Sequence, residues 1–198
     1  DLLFCEIFTI KLNVEFFDSF IPFVKSVAEF GAFYSLSQCL LKMTSPGIPD
    51  FYQGCEFWDL TMVDPDNRKP VDFKKRGAAS RDIFNESQIK NRSFFNWLLE
   101  DLSCGMSKLY LIRRALEIRN GNRELFIDGE YVPLTANGTY SDSIISFARI
   151  KEGKTVIVIA SRKLQTVKSF TTFPLTEDLW LDTCIETPQL LTSSWRDC

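Results

Sequence analysis

The chain has 198 residues, of which 45% are hydrophobic and 14% aromatic, and its formal net charge is −3. This length and apolar content suffice for one large or two small globular domains, whereas the acidic balance argues against nucleic acid as a partner, because sequence-independent binding needs a basic surface. No run approaches the roughly 18 apolar residues of a membrane span, and residues 1–12 lack the basic lead and cleavage site of a signal peptide, so a cytoplasmic protein without a membrane partner is expected.

The cysteine and histidine content limits the chemistry. Six cysteines are scattered without a CxxC pair, which predicts free thiols and no zinc site. The chain contains no histidine, which removes the commonest general base and metal ligand. The ligand spacing of an EF-hand is also missing. We therefore expect no metal, and any acid–base chemistry would need carboxylates.

The first predicted element is a long helix over about residues 18–43, preceded by a shorter helix within residues 1–14. Apolar side chains recur along residues 18–43 at helical spacing, and Asp18 or Ser19 can cap the start. An apolar helix face that lacks a neighbour usually finds a partner. One hypothesis is therefore a homo-oligomer through a helix face rich in phenylalanine, formed by Phe16, Phe20, Phe23 and Phe30.

A strand and a long loop are predicted next. Ser45, Pro46 and Gly47 end the helix. Residues 48–53 are apolar and aromatic enough to predict a strand, so that a helix feeds a strand as in an α/β barrel. Residues 55–70 contain two prolines and four acidic residues without a sustained period. Long loops in compact domains are usually functional.

The remaining elements divide into helices and strands. Helices are predicted over residues 72–89, 93–102 and 107–119, where Lys74, Lys75, Arg76 and Arg81 form a basic cluster expected to be solvated or paired with Asp72 and Asp82. Short alternating or β-branched runs then predict strands over residues 131–134, 143–150, 155–160 and 166–173. The turn at residues 151–153 indicates a hairpin.

The predicted fold class is α+β. A helical part over residues 1–122 contains the short strand, and residues 123–198 form a small, incomplete antiparallel β-sandwich. A complete barrel of eight strand–helix units needs about 250 residues, so this chain cannot form one.

The wording of residues 44–71, TSPGIPDFYQGCEFWDLTMVDPDNRKPV, carries the functional information. It combines Pro, Gly, acidic, amide and aromatic residues, a mixture that suits hydrogen bonding and ring stacking with a sugar. The runs PGIPDFYQG, EFWD and VDPDNRKPVDF resemble the late barrel segment of maltooligosyl trehalose synthases, in the α-amylase clan of glycoside hydrolases. The resemblance is specific between about residues 35 and 76.

The resemblance implies a reaction, and it also implies that the catalytic residues are missing from this chain. The family moves the reducing-end α-1,4 linkage of a maltooligosaccharide to an α,α-1,1 linkage, without an organic cofactor, through three carboxylates on earlier barrel strands. The motif that carries the third carboxylate includes a histidine, which this chain lacks. The resemblance therefore implies a C-terminal fragment or a truncated gene product that is inactive alone.

Two clusters are the candidate sugar-binding residues. The first cluster lies at the end of the predicted strand, where α/β barrels place their sites, and comprises Asp50, Tyr52, Gln53 and Glu56. The alternative is that these side chains only pack the end of the strand and that Glu56 pairs with a neighbouring arginine. The second cluster comprises Asp64, Asp66, Asn67 and Arg68. Its polar groups can form paired hydrogen bonds with sugar diols, although the same residue types are also typical of a turn. Trp58 could stack on a pyranose ring or belong to the core.

Three hypotheses therefore stand. The first is that the chain is part of a maltooligosyl trehalose synthase, an enzyme that acts on maltooligosaccharide. The second is a non-catalytic α-glucan-binding module, and the third is an oligomerising structural remnant. An exposed Trp180 or Trp195 at the edge of the β domain would favour the binding module.

Overall fold

The computed structural model describes residues 14–61, 68–87, 92–167 and 177–187. Within these ranges helices are combined with two small antiparallel sheets, and no closed barrel is formed. This confirms a mixed arrangement of helices and antiparallel strands. The described part shows no helix with the length and apolar character that crossing a membrane requires.

The longest element is helix α1, Val14–Thr44. It confirms the helix predicted over residues 18–43, and the shorter helix predicted before it falls almost entirely on residues 1–13, which lie outside the described residues. The first half of α1 is largely exposed. The last turn is closed by the Thr44 hydroxyl, which donates to the Leu40 carbonyl oxygen at 2.7 Å.

Two buried arginines hold the C-terminal end of α1. Arg119 donates to the carbonyl oxygens of Met43, at 2.7 Å, and Gly47. Arg149, whose side chain is only 1% exposed, donates to the carbonyl oxygen of Thr44 at 3.1 Å. Cations at a helix C-terminus oppose the negative end of its dipole. Burial lowers the pKa of both guanidinium groups.

The strand predicted over residues 48–53 is wrong. This segment has irregular backbone that leads into a turn, in which the Cys55 N–H donates to the Tyr52 carbonyl oxygen at 3.2 Å. Ile48 is 93% exposed. A strand persists only where a neighbouring strand pairs with its backbone groups, and the described residues include no strand beside this segment.

Four helices follow, and the three that were predicted are confirmed with shifted ends: α2, Phe73–Ser87; α3, Arg92–Glu100; and α4, Met106–Gly121. The Asp72 carboxylate accepts from the Lys75 N–H at 2.9 Å and so caps the start of α2. The short helix α5, Arg123–Ile127, was not predicted. Helices α2, α3 and α4 share a core made of Phe57, Ala79, Ile83, Phe94, Leu98 and Leu109.

The β part contains a three-stranded sheet of order β1-β3-β4, whose strands are β1, Glu130–Pro133; β3, Ile144–Lys151; and β4, Lys154–Ser161. It also contains a two-residue ladder between β2, Ala136–Asn137, and β5, Cys184–Ile185. The predicted hairpin is confirmed, because Lys151 pairs with Lys154 across a two-residue turn. Both turn residues have positive φ, 50° at Glu152 and 77° at Gly153, which is the geometry of a type I′ turn.

The strand predicted over residues 166–173 is wrong at its start. Leu164–Thr166 forms a 3-10 turn, and residues 168–176 lie outside the described residues. The helices and the β part are in contact, since the hydroxyl oxygens of Ser37 and Ser161 lie 3.1 Å apart. The sandwich arrangement and the boundary at residue 122 stay predictions.

Candidate functional site

A cleft of about 460 Å³ lies between the loop after residue 52 and the start of α2. It is lined by an aromatic ring, amide and carboxylate groups and several cations, including Gln53, Trp58, Asp59, Lys69, Lys75 and Arg76. Clefts with an apolar surface and a few convergent polar groups are typical of small-molecule sites. The described part of the chain shows no group of three carboxylate or thiol ligands that could hold a metal ion.

Arg76 organises the wall of this cleft. Its Nε donates to the Glu56 carboxylate at 3.0 Å, and its Nη2 donates to the Gly54 carbonyl oxygen at 2.6 Å. Its third contact is Nη1 to the Asp72 carbonyl oxygen at 3.2 Å. Arg76 therefore ties the site loop to the start of α2. The sequence predicted a basic cluster that is either solvated or paired with Asp72 and Asp82; Arg76 is paired, with the Glu56 carboxylate, and contacts Asp72 through the backbone carbonyl oxygen.

Glu56 is thus held in an ion pair. Its side chain is 33% exposed and that of Arg76 is 18% exposed, so the pair is partly screened by solvent. The Glu56 carboxylate pairs with an arginine of its own chain, which is the alternative to sugar binding given above for this residue. Glu56 therefore contributes by shaping the loop.

Trp58 lines the cleft and is half-buried. Its indole N–H donates to the Leu102 carbonyl oxygen. The ammonium group of Lys108 lies 5.4 Å from the centre of the indole ring system, within cation–π range. Trp58 is therefore a fixed aromatic surface at the wall of the cleft.

Asp59 was missed by sequence reasoning. Its carboxylate accepts from the Thr61 hydroxyl at 2.7 Å and from the Thr61 N–H at 3.1 Å. The hydroxyl hydrogen bond, followed by the backbone one, lowers the pKa of Asp59 below its ordinary value. The available signal was its position beside Trp58 in the EFWD run.

The other predicted residues are only partly brought together. Gln53 lines the cleft, whereas Asp50 and Tyr52 are exposed and lie outside its described lining. Arg68 is exposed and also lies outside that lining. The rest of the second cluster lies outside the described residues: Asp64, Asp66 and Asn67.

The β part gives the binding-module hypothesis little support. Trp180 is half-buried and packs against a cluster that contains Tyr140, Val167 and Leu179. A ring engaged in this way does not form an exposed edge platform. Trp195 lies outside the described residues.

Comparison with known proteins supports the resemblance seen in the sequence. No family model matches the chain. Two Mycobacterium tuberculosis proteins, from strains CDC 1551 / Oshkosh and ATCC 25618 / H37Rv, carry the name maltooligosyl trehalose synthase and are each 32% identical over 152 residues, which is 75% of this chain and 17% of theirs.

Solved structures agree with these relatives. A crystal structure of a maltooligosyl trehalose synthase matches 77% of this chain and 19% of its own, with 34% identity and a TM-score of 0.62. A mutant of the Arthrobacter ramosus enzyme matches 90% of this chain and 21% of its own, with 30% identity and a TM-score of 0.65. Over most of its length the chain is therefore similar to the C-terminal part of maltooligosyl trehalose synthases, and it spans about one fifth of theirs.

Proposed function

We propose that the cleft around Trp58 contacts an α-1,4-glucan as part of a maltooligosyl trehalose synthase. The observation that carries the proposal is the fixed indole ring at the wall of a polar cleft, in a chain similar to enzymes of that name. An aromatic face can cover the apolar face of a pyranose, while the Gln53 amide can donate to or accept from its hydroxyl groups and the Asp59 carboxylate can accept from them.

The reaction proposed for the whole protein is the transfer of the reducing-end glucose from an α-1,4 to an α,α-1,1 linkage. A retaining transfer needs a nucleophilic carboxylate and an acid about 5–5.5 Å apart. The carboxylates that line the cleft within the described residues already accept hydrogen bonds from the protein, Asp59 from Thr61 and Asp72 from the Lys75 N–H. We therefore propose that these carboxylates bind the sugar and shape the cleft, and that the 198-residue chain alone does not catalyse the transfer.

The test of this function is incubation of the pure chain with maltopentaose, followed by NMR of the anomeric protons. The expected result is binding without loss of the reducing-end signal. Formation of a non-reducing product by the chain alone would overturn the proposed inactivity. Absence of calorimetric binding up to millimolar maltopentaose would count against a glucan-contacting cleft.

A second candidate function is self-association through α1. Its first half exposes a series of large apolar side chains, among them Phe16, Phe20, Phe23 and Val27, with Phe23 64% and Val27 52% exposed. These positions alternate by four and three residues, the spacing with which helices pair.

The series is also symmetric. In an antiparallel pair of helices, the residue numbers that face each other have a constant sum. A register that places Phe16 opposite Val27 therefore also places Phe20 opposite Phe23. A self-complementary seam of this kind is what a two-fold pair of identical helices requires.

A further inference from the structure

The ammonium group of Lys108 is buried beside the candidate site. Lys108 lies in α4 and is 8% exposed. Its Nζ donates to the Phe57 carbonyl oxygen at 3.0 Å, and it lies 5.4 Å from the Trp58 ring. One cation therefore contacts both the peptide group that precedes Trp58 and the Trp58 side chain.

A buried ammonium loses its hydration, which is costly unless polar or ionic contacts replace it. Within the described ranges no carboxylate oxygen lies within ion-pairing distance of Lys108. The Asp59 charge attracts it from beyond ion-pairing distance, and its direct contacts are the Phe57 carbonyl oxygen and the indole ring. Because both belong to the site loop, the position of the loop and the burial of this charge are coupled.

Trp58 is consequently held from two sides. The Leu102 carbonyl oxygen accepts from the indole N–H, which sets the rotation of the ring. Lys108 contacts the ring from within the protein, since it is buried and does not line the cleft, whereas Trp58 does. The ring surface that remains available therefore belongs to the cleft.

We propose that Lys108 is a positioning residue that fixes Trp58 as a preformed platform for a pyranose ring of an α-glucan. This inference rests on the proposed function for its ligand, but the fixing of the ring by Lys108 does not. A side chain ordered before binding loses little rotamer freedom when the ligand arrives. Loss of Lys108 should therefore weaken sugar binding although Lys108 does not touch the sugar.

The experiment compares Lys108→Met with Lys42→Met. Methionine keeps an unbranched apolar side chain and removes the charge and the donor. Lys42 is a matched control, because its Nζ lies 4.5 Å from the Phe51 ring centre while its side chain is exposed and is not part of the cleft lining. Both variants are made in the full chain with Trp97, Trp180 and Trp195 changed to Phe, which leaves Trp58 as the single tryptophan.

Two readouts are measured: quenching of Trp58 fluorescence by acrylamide, and the Kd for maltopentaose by calorimetry. Lys108→Met is expected to raise the quenching constant and to weaken binding by up to about tenfold, because a Trp58 ring that is no longer fixed must be immobilised when the sugar binds. Lys42→Met is expected to leave both values unchanged within about twofold.

The outcomes separate the two proposals. If the parent chain does not bind maltopentaose but Lys108→Met still raises quenching, the positioning role stands and the glucan ligand is wrong. Unchanged quenching and unchanged Kd in Lys108→Met overturn the positioning role. Lys108→Gln, which keeps a donor for the Phe57 carbonyl oxygen, serves if Lys108→Met does not fold; quenching equal to that of the parent in this variant would likewise overturn the role of the cation.

Discussion

At the scale of single residues, Arg76 is the residue on which the shape of the cleft depends most. Its planar group donates to the Glu56 carboxylate and to two backbone carbonyl oxygens, those of Gly54 and Asp72. Lysine cannot reproduce a rigid fork of donors. The contribution of Arg76 therefore lies in its geometry as well as in its charge.

We expect Arg76→Lys to lower the free energy of unfolding by about 1–3 kcal/mol, since at least one carbonyl oxygen of the loop loses its donor. The measurement is urea unfolding followed by circular dichroism. Arg81→Lys, at an exposed position of the same helix, is the control and should change the value by less than about 0.5 kcal/mol. Equal effects of the two substitutions would contradict this role of Arg76.

Cys55 gives a prediction that depends on pH. Burial, followed by the nearby Glu56 charge, raises the pKa of the Cys55 thiol above its ordinary value. The folded state therefore holds this proton more tightly, and the thiolate that reacts with alkylating reagents is scarce at neutral pH. The stability linked to this proton is fully present below the pKa of the thiol in the unfolded chain and is lost as the pH rises through the raised pKa of the folded state.

Alkylation by iodoacetamide, followed by mass spectrometry, measures this directly. Cys184 is exposed and serves as the internal reference. At neutral pH Cys55 should react more slowly than Cys184, and its rate should rise steeply at alkaline pH. A Cys55 rate equal to or above that of Cys184 at neutral pH would refute the raised pKa.

At the scale of elements, the hairpin between β3 and β4 shows how local chemistry sets a turn. Glu152 adopts a φ of 50°, which is unfavourable for a residue with a long side chain and readily adopted by asparagine. Glu152→Asn should raise the free energy of unfolding by about 0.5 kcal/mol, and Gly153→Ala should lower it by about 1 kcal/mol.

Gly153 is informative because nothing lies within 4 Å of a Cβ built there. Its substitution therefore tests backbone conformation without a steric clash. Thermal and urea unfolding provide the measurement. A neutral or stabilising Gly153→Ala would contradict the type I′ turn.

Elements with a strong local pattern could be predicted from the sequence. Helix α1 and the β3–β4 hairpin follow from apolar spacing and turn chemistry within a few residues. The strand predicted over residues 48–53 could not be judged in this way, because a strand requires partners elsewhere in the chain. Ile48 and Tyr52 instead stand largely exposed on irregular backbone.

The lining of the cleft could be predicted only where neighbouring residues form a local motif. The motif placed Gln53 and Trp58 in one loop, and both line the cleft. The residues that hold the loop are distant in sequence, since Arg76 and Lys108 reach it from α2 and α4. No local pattern identifies such contacts, so the sequence did not identify Arg76 as the arginine that pairs with Glu56.

At the scale of the whole molecule, the apolar face of α1 is the surface through which we propose that copies of the chain associate. Phe23 is 64% exposed and Phe16 and Phe20 are each 38% exposed. Burying them against a second copy would remove large apolar area from water, at about 25 cal/mol per Å². We therefore expect a dimer at micromolar concentration in light scattering coupled to gel filtration.

Charge exchange tests the antiparallel register. Phe23→Glu should weaken the dimer by placing a carboxylate in the seam opposite Phe20 of the second copy, and Phe20→Lys combined with Phe23→Glu should restore part of it by bringing opposite charges together. Lys154→Glu, at an exposed position of β4, is the control. A monomer at all concentrations would refute self-association, and a dimer insensitive to these changes would refute this register.

The central claim is that the cleft beside Trp58 receives a glucan, and its most direct test is a ¹H–¹⁵N spectrum of the indole groups during titration with maltopentaose. The chain has four tryptophans, and Trp58→Phe assigns one signal. We predict that the Trp58 signal shifts and saturates, that it is unaffected by trehalose at the same concentration, and that the other indole signals stay in place. A silent Trp58 signal, or a saturating shift confined to Trp97 or Trp180, would contradict the claim.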